Sequence, residues 1–136
     1  MNPVFARCAV PADDVDIVRL RSLAAKEAPR HRGEPFRRGQ GSGLLTIVGG
    51  VGDSVFGFAD ISCTDEGIWT IHAVHVEEPA RGVGIADAMM GVALRELRAR
   101  GAKRVESGAQ PGDRSLKNLF ERHGLVARTI IVGREL

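Results

Sequence analysis

A short loop with two glycines, placed between an apolar strand and an amphipathic helix, is the segment of this sequence most suited to chemistry. The loop reads Arg81-Gly82-Val83-Gly84-Ile85-Ala86. A helix that begins at such a loop offers unpaired backbone N–H groups and the positive end of its dipole. Because these groups bind phosphate or pyrophosphate, the loop predicts a site for a nucleotide-bearing cofactor.

Two common phosphate loops do not fit this segment. No Lys follows Gly84, as a Walker A loop would require, and Asp87 stands where the dinucleotide fingerprint needs its third glycine. The loop instead resembles the acetyl-CoA loop of the GNAT superfamily of N-acetyltransferases, Arg/Gln-x-x-Gly-x-Gly/Ala. Arg81, Gly84 and Ala86 occupy its three defining positions.

A second segment also resembles this family. Phe120-Glu121-Arg122-His123-Gly124-Leu125 is similar to the family's Tyr-Glu-x-x-Gly-Phe segment, which ends the helix beside the cofactor thiol. Asp113 stands seven residues before Phe120, where the family usually has Asn, and the resemblance places it with the cofactor-binding residues. The number of residues between the two segments also agrees with the family.

The order of predicted elements agrees with the resemblance over nearly the whole chain. We therefore expect one GNAT domain over residues 1–136, of the α/β class (α+β type). Its mixed, mostly antiparallel sheet would have about six to seven strands, with the fourth and fifth splayed apart, and three to four flanking helices. The predicted strands are 4–10, 44–48, 54–61, 68–76, 103–108 and 129–132, and the predicted helices are 14–29, 85–101 and 114–123.

Composition narrows the class of protein. Nineteen basic and seventeen acidic residues give a net charge of +2, which is too small to indicate a nucleic-acid partner by itself. The two cysteines, Cys8 and Cys63, have no metal-ligand spacing. No apolar run is long enough to span a membrane, and the first residues lack the order of a signal peptide. We expect a cytoplasmic protein with no metal and no membrane partner.

The resemblance implies acetyl-CoA as cosubstrate and assigns roles to several residues. The backbone of residues 81–86 would hold the pyrophosphate, with charge-assisted contacts from Arg81. The pantetheine would enter between the splayed strands beside Val74, His75 and Val76, whose N–H groups would bind the thioester oxygen.

Two positions depart from the family pattern. Many GNAT enzymes have a Glu general base four residues before the strand valine, and here that position is His72. A neutral imidazole accepts a proton near pH 7, so His72 could act as the base. The alternative is that His72 is a structural residue on one face of its strand. Asp60 and Glu106 on neighbouring strands are alternative bases. Phe120 occupies the position of the Tyr general acid and has no proton to give.

A basic segment follows the first helix. Arg30, His31, Arg32, Arg37 and Arg38 lie where GNAT proteins border the acceptor site. This charge would suit an acidic or phosphorylated substrate or the 3′-phosphate of CoA. The alternative is a solvated, mobile loop.

Three functions stay open from the sequence. The first is transfer of an acetyl group to a primary amine, on a small molecule or a protein, directly within a ternary complex. The second is a catalytically weak CoA-binding or sensor module, and the third is an anion- or nucleic-acid-binding domain that uses residues 30–38. The family often forms dimers through C-terminal strands, so strand 129–132 leaves a homodimer open as well.

Overall fold

Five strands form one sheet in the computed structural model, which describes residues 2–36 and 41–136. The strands are β1 (Val4–Cys8), β2 (Ser42–Val51), β3 (Ser54–Asp65), β4 (Ile68–Val76) and β5 (Arg104–Glu106). The α-helices of the described residues are α1 (Asp14–Glu27), α2 (Ile85–Ala99) and α3 (Arg114–Arg122). Short 3₁₀ turns lie at Pro11–Asp13, Ala28–Arg30 and Glu78–Ala80.

The strands lie in sequence order across the sheet. β1 to β4 pair antiparallel, and β5 pairs parallel to β4, which confirms the predicted mixed, mostly antiparallel arrangement. The β4–β5 ladder covers only Ile68–Thr70 and Arg104–Glu106, so the two strands separate beyond Thr70.

A bulge in β4 lies where the strands begin to separate. Ile61 pairs with Ile71 and Asp60 pairs with Ala73, so His72 is one extra residue opposite β3. Such a bulge bends its strand and redirects a side chain. It therefore directs β4 away from β5 over the residues that the sequence assigns to the cofactor.

Helices cover both faces of the sheet. On one face α2 buries Ile85, Met89, Ala93 and Leu97, at intervals of four residues, against the apolar side chains of β2, β3 and β4. On the other face α1 contributes a smaller cluster around Leu20. Each fully buried side chain of this kind stabilises the fold by about 1.5–3 kcal/mol. The start of α2, and with it the glycine loop, is thereby fixed against β4.

The predicted last strand, 129–132, is absent. Residues 125–136 belong to no helix or strand, and Ile130, Ile131 and Val132 are 83–90% exposed. Their β-branched side chains favour a strand, but a strand also needs a partner edge, and none pairs with them among the described residues. The sheet therefore has five described strands rather than six to seven, and the predicted homodimer stays a prediction.

The segment predicted as a mobile loop is partly packed. Residues 31–36 have no regular secondary structure but lie against residues 108–112, where Phe36 approaches Gly108 so closely that a Cβ there would clash. Arg37 and Arg38 lie outside the described residues. In the described part of the chain, no helix is long and apolar enough to cross a membrane.

Candidate active site

A cavity of about 550 Å³ opens where β4 and β5 separate. It extends from the glycine loop at the start of α2, along β4, to the segment that follows α1. Most residues predicted for the site line it: His72, Val74, His75, Val76, Arg81, Gly82, Gly84, Ile85, Ala86 and Asp113. Val83 is 55% exposed outside the cavity, and Phe120 is buried in the core.

The glycine loop offers a run of free amides. Gly84 adopts φ of 95°, a left-handed conformation that glycine accepts without strain, and stands at the N-cap of α2. The first helical bond runs from the Ala88 N–H to the Gly84 carbonyl. No acceptor within the described residues binds the amides of 82–87. These six amides and the positive end of the helix dipole fit the phosphates of a CoA nucleotide.

Arg81 joins this loop to α1. Its Nε donates to the Val76 carbonyl at 2.7 Å, and its Nη2 donates to Glu27 Oε2 at 2.6 Å. The hydrogen bond from Arg81 lowers the pKa of Glu27, while burial opposes that shift. Two protein acceptors therefore hold the guanidinium that the sequence assigns to the pyrophosphate. Glu27 lies 54 residues from Arg81, and no local sequence pattern indicates this contact.

His75 is the most buried ionisable side chain in this part of the cavity wall, with 9% of its side chain exposed. Its Nδ1 lies 3.5 Å from Glu27 Oε2, and its buried Nε2 has no hydrogen-bond partner among the described residues. Burial lowers the pKa of His75, and the nearby Glu27 carboxylate partly opposes this effect. The neutral ring with its proton on Nδ1, facing Glu27, fits these contacts.

His72 faces the cavity from the bulge. Its Nε2 lies 2.6 Å from the hydroxyl oxygen of Ser62, a residue only 5% exposed on β3. Nδ1 has no hydrogen-bond partner within the part of the chain that is described. The bond to Ser62 therefore fixes the plane of the ring and leaves Nδ1 as the nitrogen available to another group.

The alternative bases lie outside the cavity lining. Asp60 accepts hydrogen bonds from the Arg21 guanidinium at 2.8 and 2.9 Å and from Thr46 at 2.8 Å. Glu106 forms an ion pair of 3.3 Å with Arg104. These contacts leave His72 as the predicted base that the structure brings to the cavity.

α3 forms the wall opposite β4. Asp113 accepts a hydrogen bond from the Leu116 N–H at 3.1 Å, which caps the helix, and also lies 3.7 Å from His31 Nε2. Phe120 is 7% exposed and packs in the main core. The hydroxyl-bearing side chain that lines this wall is Ser115.

Asp87 connects the two helices that border the site. It accepts from the Arg122 guanidinium at 3.2 Å and from His123 Nε2 at 2.8 Å, so the first turn of α2 is tied to the end of α3. The hydrogen bond from Arg122 is the main reason that the pKa of Asp87 is lowered. The described residues contain no cluster of three or more His, Cys, Asp or Glu side chains suited to a metal ion.

Two basic side chains of the described part of this segment lie near carboxylates, and its backbone contacts the loop before α3. Arg30 lies 4.0 Å from Glu78, His31 faces Asp113, and the Arg32 carbonyl accepts from the Gly112 N–H at 3.2 Å. The segment thereby forms the far wall of the cavity, where Gln110 reaches it from the loop before α3. Neither Gln110 nor its neighbours show a sequence pattern that indicates this contact.

Residues 15–125 match the family described as Acetyltransferase (GNAT). This match covers most of the chain, so the chain belongs to the GNAT acetyltransferase family. Both resemblances noted in the sequence are thus confirmed at the level of the family, together with the enzyme class and acetyl-CoA as its cosubstrate.

Solved structures agree with this fold. The chain is similar to an aminoglycoside N-acetyltransferase, AAC(6′)-Iy, in complex with CoA, with a TM-score of 0.73 and 15% identity over 99% of this chain and 96% of that one. It is also similar to a putative acetyl transferase from Pyrococcus furiosus, with a TM-score of 0.74 and 19% identity over 98% of this chain and 100% of that one. A ribosomal-protein-alanine N-acetyltransferase from Brucella melitensis biovar Abortus 2308 has a TM-score of 0.73 and 16% identity, over 98% of this chain and 99% of that one. No curated protein sequence gives a significant match.

Proposed function

We propose that this protein transfers the acetyl group of acetyl-CoA directly to a primary amine, on a small molecule or a protein, within a ternary complex. The observation that carries the proposal is that one cavity joins the free amides of 82–87, the open edge of β4 and the imidazole of His72. Such continuity is what a direct transfer between two bound substrates needs.

The cofactor half is assigned to backbone groups. The amides of 82–87 would bind the pyrophosphate, and the β4 backbone at Val74–Val76 would face the pantetheine in the gap that β5 leaves. Acetyl-CoA supplies the acetyl carbonyl carbon and leaves as the free thiol. The amine nitrogen forms a bond to that carbon as the C–S bond breaks, one amine proton is removed, and the sulfur gains one.

His72 is the side chain that we assign to removal of the amine proton. Nδ1 is its unpartnered nitrogen, so the proton would be taken there, with Nε2–H donating to Ser62 Oγ across the 2.6 Å contact. Phe120 supplies no proton to the thiolate. A proton for the sulfur would then come from water or from Ser115 at the cavity wall.

The test is release of free thiol from acetyl-CoA with a panel of primary amines, measured for the wild type and for His72→Gln. We expect turnover by the wild type and a kcat lower by about 10²-fold or more in the variant, the usual contribution of a positioned base. Thermal stabilisation by acetyl-CoA should be equal in both proteins, which separates loss of the base from loss of binding.

A second candidate function is a CoA-binding module with little catalysis. It is favoured by Phe120, because the position of the family's proton donor is filled by a ring that is buried in the core. Strong stabilisation by acetyl-CoA without thiol release on the whole amine panel would support this module and contradict the transferase. A kcat for His72→Gln equal to that of the wild type would remove His72 as the base.

A further inference from the structure

Gln110 lies between β5 and α3, and its side chain crosses to the segment that follows α1. Its Nε2 lies 3.1 Å from the carbonyl oxygen of Ala28, 3.4 Å from that of His31 and 3.1 Å from that of Gly33. These acceptors are 77 to 82 residues away in the sequence. One side chain therefore joins two distant parts of the cavity wall.

The segment that Gln110 holds has little structure of its own. Residues 31–36 belong to no helix or strand. Within the described residues, the backbone bonds at its start are those from the His31 N–H to Ala28 and from the Gly112 N–H to Arg32, both 3.2 Å long. The Gln110 amide adds three carbonyl contacts to these two bonds and to the packing of Phe36 against Gly108, and it is the side-chain donor of the described chain that reaches the backbone of 28–33.

The main chain of Gln110 is hydrogen-bonded to the start of α3. The Asp113 N–H donates to the Gln110 carbonyl at 2.8 Å, and the Asp113 carboxylate in turn caps α3. Gln110 thus connects the start of α3 to the wall formed by Ala28, His31 and Phe36, all of which line the cavity.

We propose that Gln110 is a positioning residue that sets the width of the acceptor half of the cavity. The inference rests on the proposed function, because it places the amine in the half of the cavity lined by Ala28, His31 and Phe36, where the GNAT resemblance puts the acceptor site. Gln110 acts through the residues 28–33 that it holds.

Two variants of Gln110 differ in the number of N–H donors that the side chain offers to these carbonyl oxygens. A primary amide has two N–H bonds for three carbonyl oxygens, whereas a lysine ammonium has three. Gln110→Lys keeps N–H donors at this place, although it carries them one bond further from the backbone and adds a positive charge. Gln110→Glu has nearly the shape of glutamine, but its carboxylate accepts only and is repelled by the same oxygens. The pair therefore separates the donated hydrogen bonds from the shape of the side chain.

The experiment combines hydrogen exchange of the His31 and Gly112 amides, the N–H groups that are hydrogen-bonded at this contact, with steady-state kinetics. In Gln110→Glu we expect exchange to be faster by about tenfold or more, the effect of losing one to two hydrogen bonds. The KM for the amine should rise severalfold while stabilisation by acetyl-CoA stays at the wild-type value. Gln110→Lys should restore both the slow exchange and the low KM. Gln110→Ala, which removes the donors without adding charge, serves if the Glu variant fails to fold.

Exchange in Gln110→Glu and Gln110→Ala equal to that of the wild type would overturn the inference. Faster exchange with an unchanged KM would also overturn it, because the wall would then move without affecting the amine. Exchange is measured without turnover. Faster exchange in Gln110→Glu than in the wild type, together with no activity of the wild type on any amine, would contradict the proposed function and support the part of the inference that concerns the wall.

Discussion

At one end of the cavity the groups offered to a ligand are the backbone amides of residues 82–87, whereas the other end is lined by side chains from β4, from the segment after α1 and from the region around the start of α3. The amides are placed by two left-handed glycines, Gly82 and Gly84, and by one helix. That other end depends on Gln110, whose amide contacts carbonyls 77 to 82 residues away, and on Asp113, which caps α3 and faces His31. A site built from backbone needs only a local conformation, while a site built from side chains needs the whole fold.

The largest effect should come from one of the glycines that shape the backbone end. Gly84→Val places a β-branched residue at φ of 95°, so the loop must change conformation and the amides lose their common direction. At a hundred times its Kd a ligand stabilises a protein by about 2.7 kcal/mol, roughly 5–15 °C in Tm for this size. We expect acetyl-CoA to give this rise in the wild type and none in Gly84→Val, as measured by thermal unfolding.

Gly101→Val is the matched control. Gly101 also has a left-handed backbone, with φ of 75°, and open space for a Cβ, but it follows the opposite end of α2. Both variants should lower the Tm of the free protein, and only Gly101→Val should keep the rise with acetyl-CoA. An equal rise in both would show that the amides of the loop are not the site.

A smaller effect should follow from Glu27→Gln, which tests the side chain that connects the two ends. The variant removes the carboxylate that holds Arg81 and one negative charge near the loop. We expect the Kd for acetyl-CoA to fall about threefold, from the Coulomb energy of one charge in a largely aqueous site. The Tm of the free protein should fall slightly, because the Arg81–Glu27 pair is partly exposed and contributes about 1 kcal/mol or less.

Glu96→Gln removes the same charge from an ion pair on α2 outside the cavity lining. Isothermal titration of the three proteins should show a tighter Kd for Glu27→Gln only. Weaker binding in Glu27→Gln would indicate instead that Arg81 must be held by α1 for the loop to bind.

The smallest expected effect concerns pH and the buried His75. Burial lowers the pKa of His75 in the folded protein, so the unfolded chain binds a proton first as the pH falls below about 6.5. The free energy of unfolding should therefore decrease from pH 7 to pH 5. Asp13, Glu27 and Asp87, whose pKa values are also lowered, should add their own loss only near and below pH 4.

Urea unfolding at pH 7 and pH 5 is the measurement. In His75→Gln the decrease between these two values should become smaller, since glutamine does not titrate. The same decrease in both proteins would mean that His75 is as easily protonated in the folded state as in the unfolded chain.

The same difference between the ends explains what the sequence could predict. The loop 81–86 was predicted with its helix because glycines at fixed positions between an apolar strand and an amphipathic helix are local signals. Glu27 and Gln110 were missed, since their roles appear only when residues 54 to 82 positions apart come into contact. Strand 129–132 was predicted from its side chains alone, and its absence shows that β-propensity does not provide a partner edge.

The free amides of 82–87 also bear on how far such sequences can diverge. Every residue except proline carries the same N–H group, so replacement of most loop side chains leaves the offered donors unchanged. Only the two positions with left-handed geometry, Gly82 and Gly84, restrict the choice of residue. A fold shared with proteins of 15–19% identity is what such a weak demand on side chains permits. If the proposed function holds, acceptor preference can drift with residues 28–36 and 110–113 while the loop amides assigned to the cosubstrate stay in place.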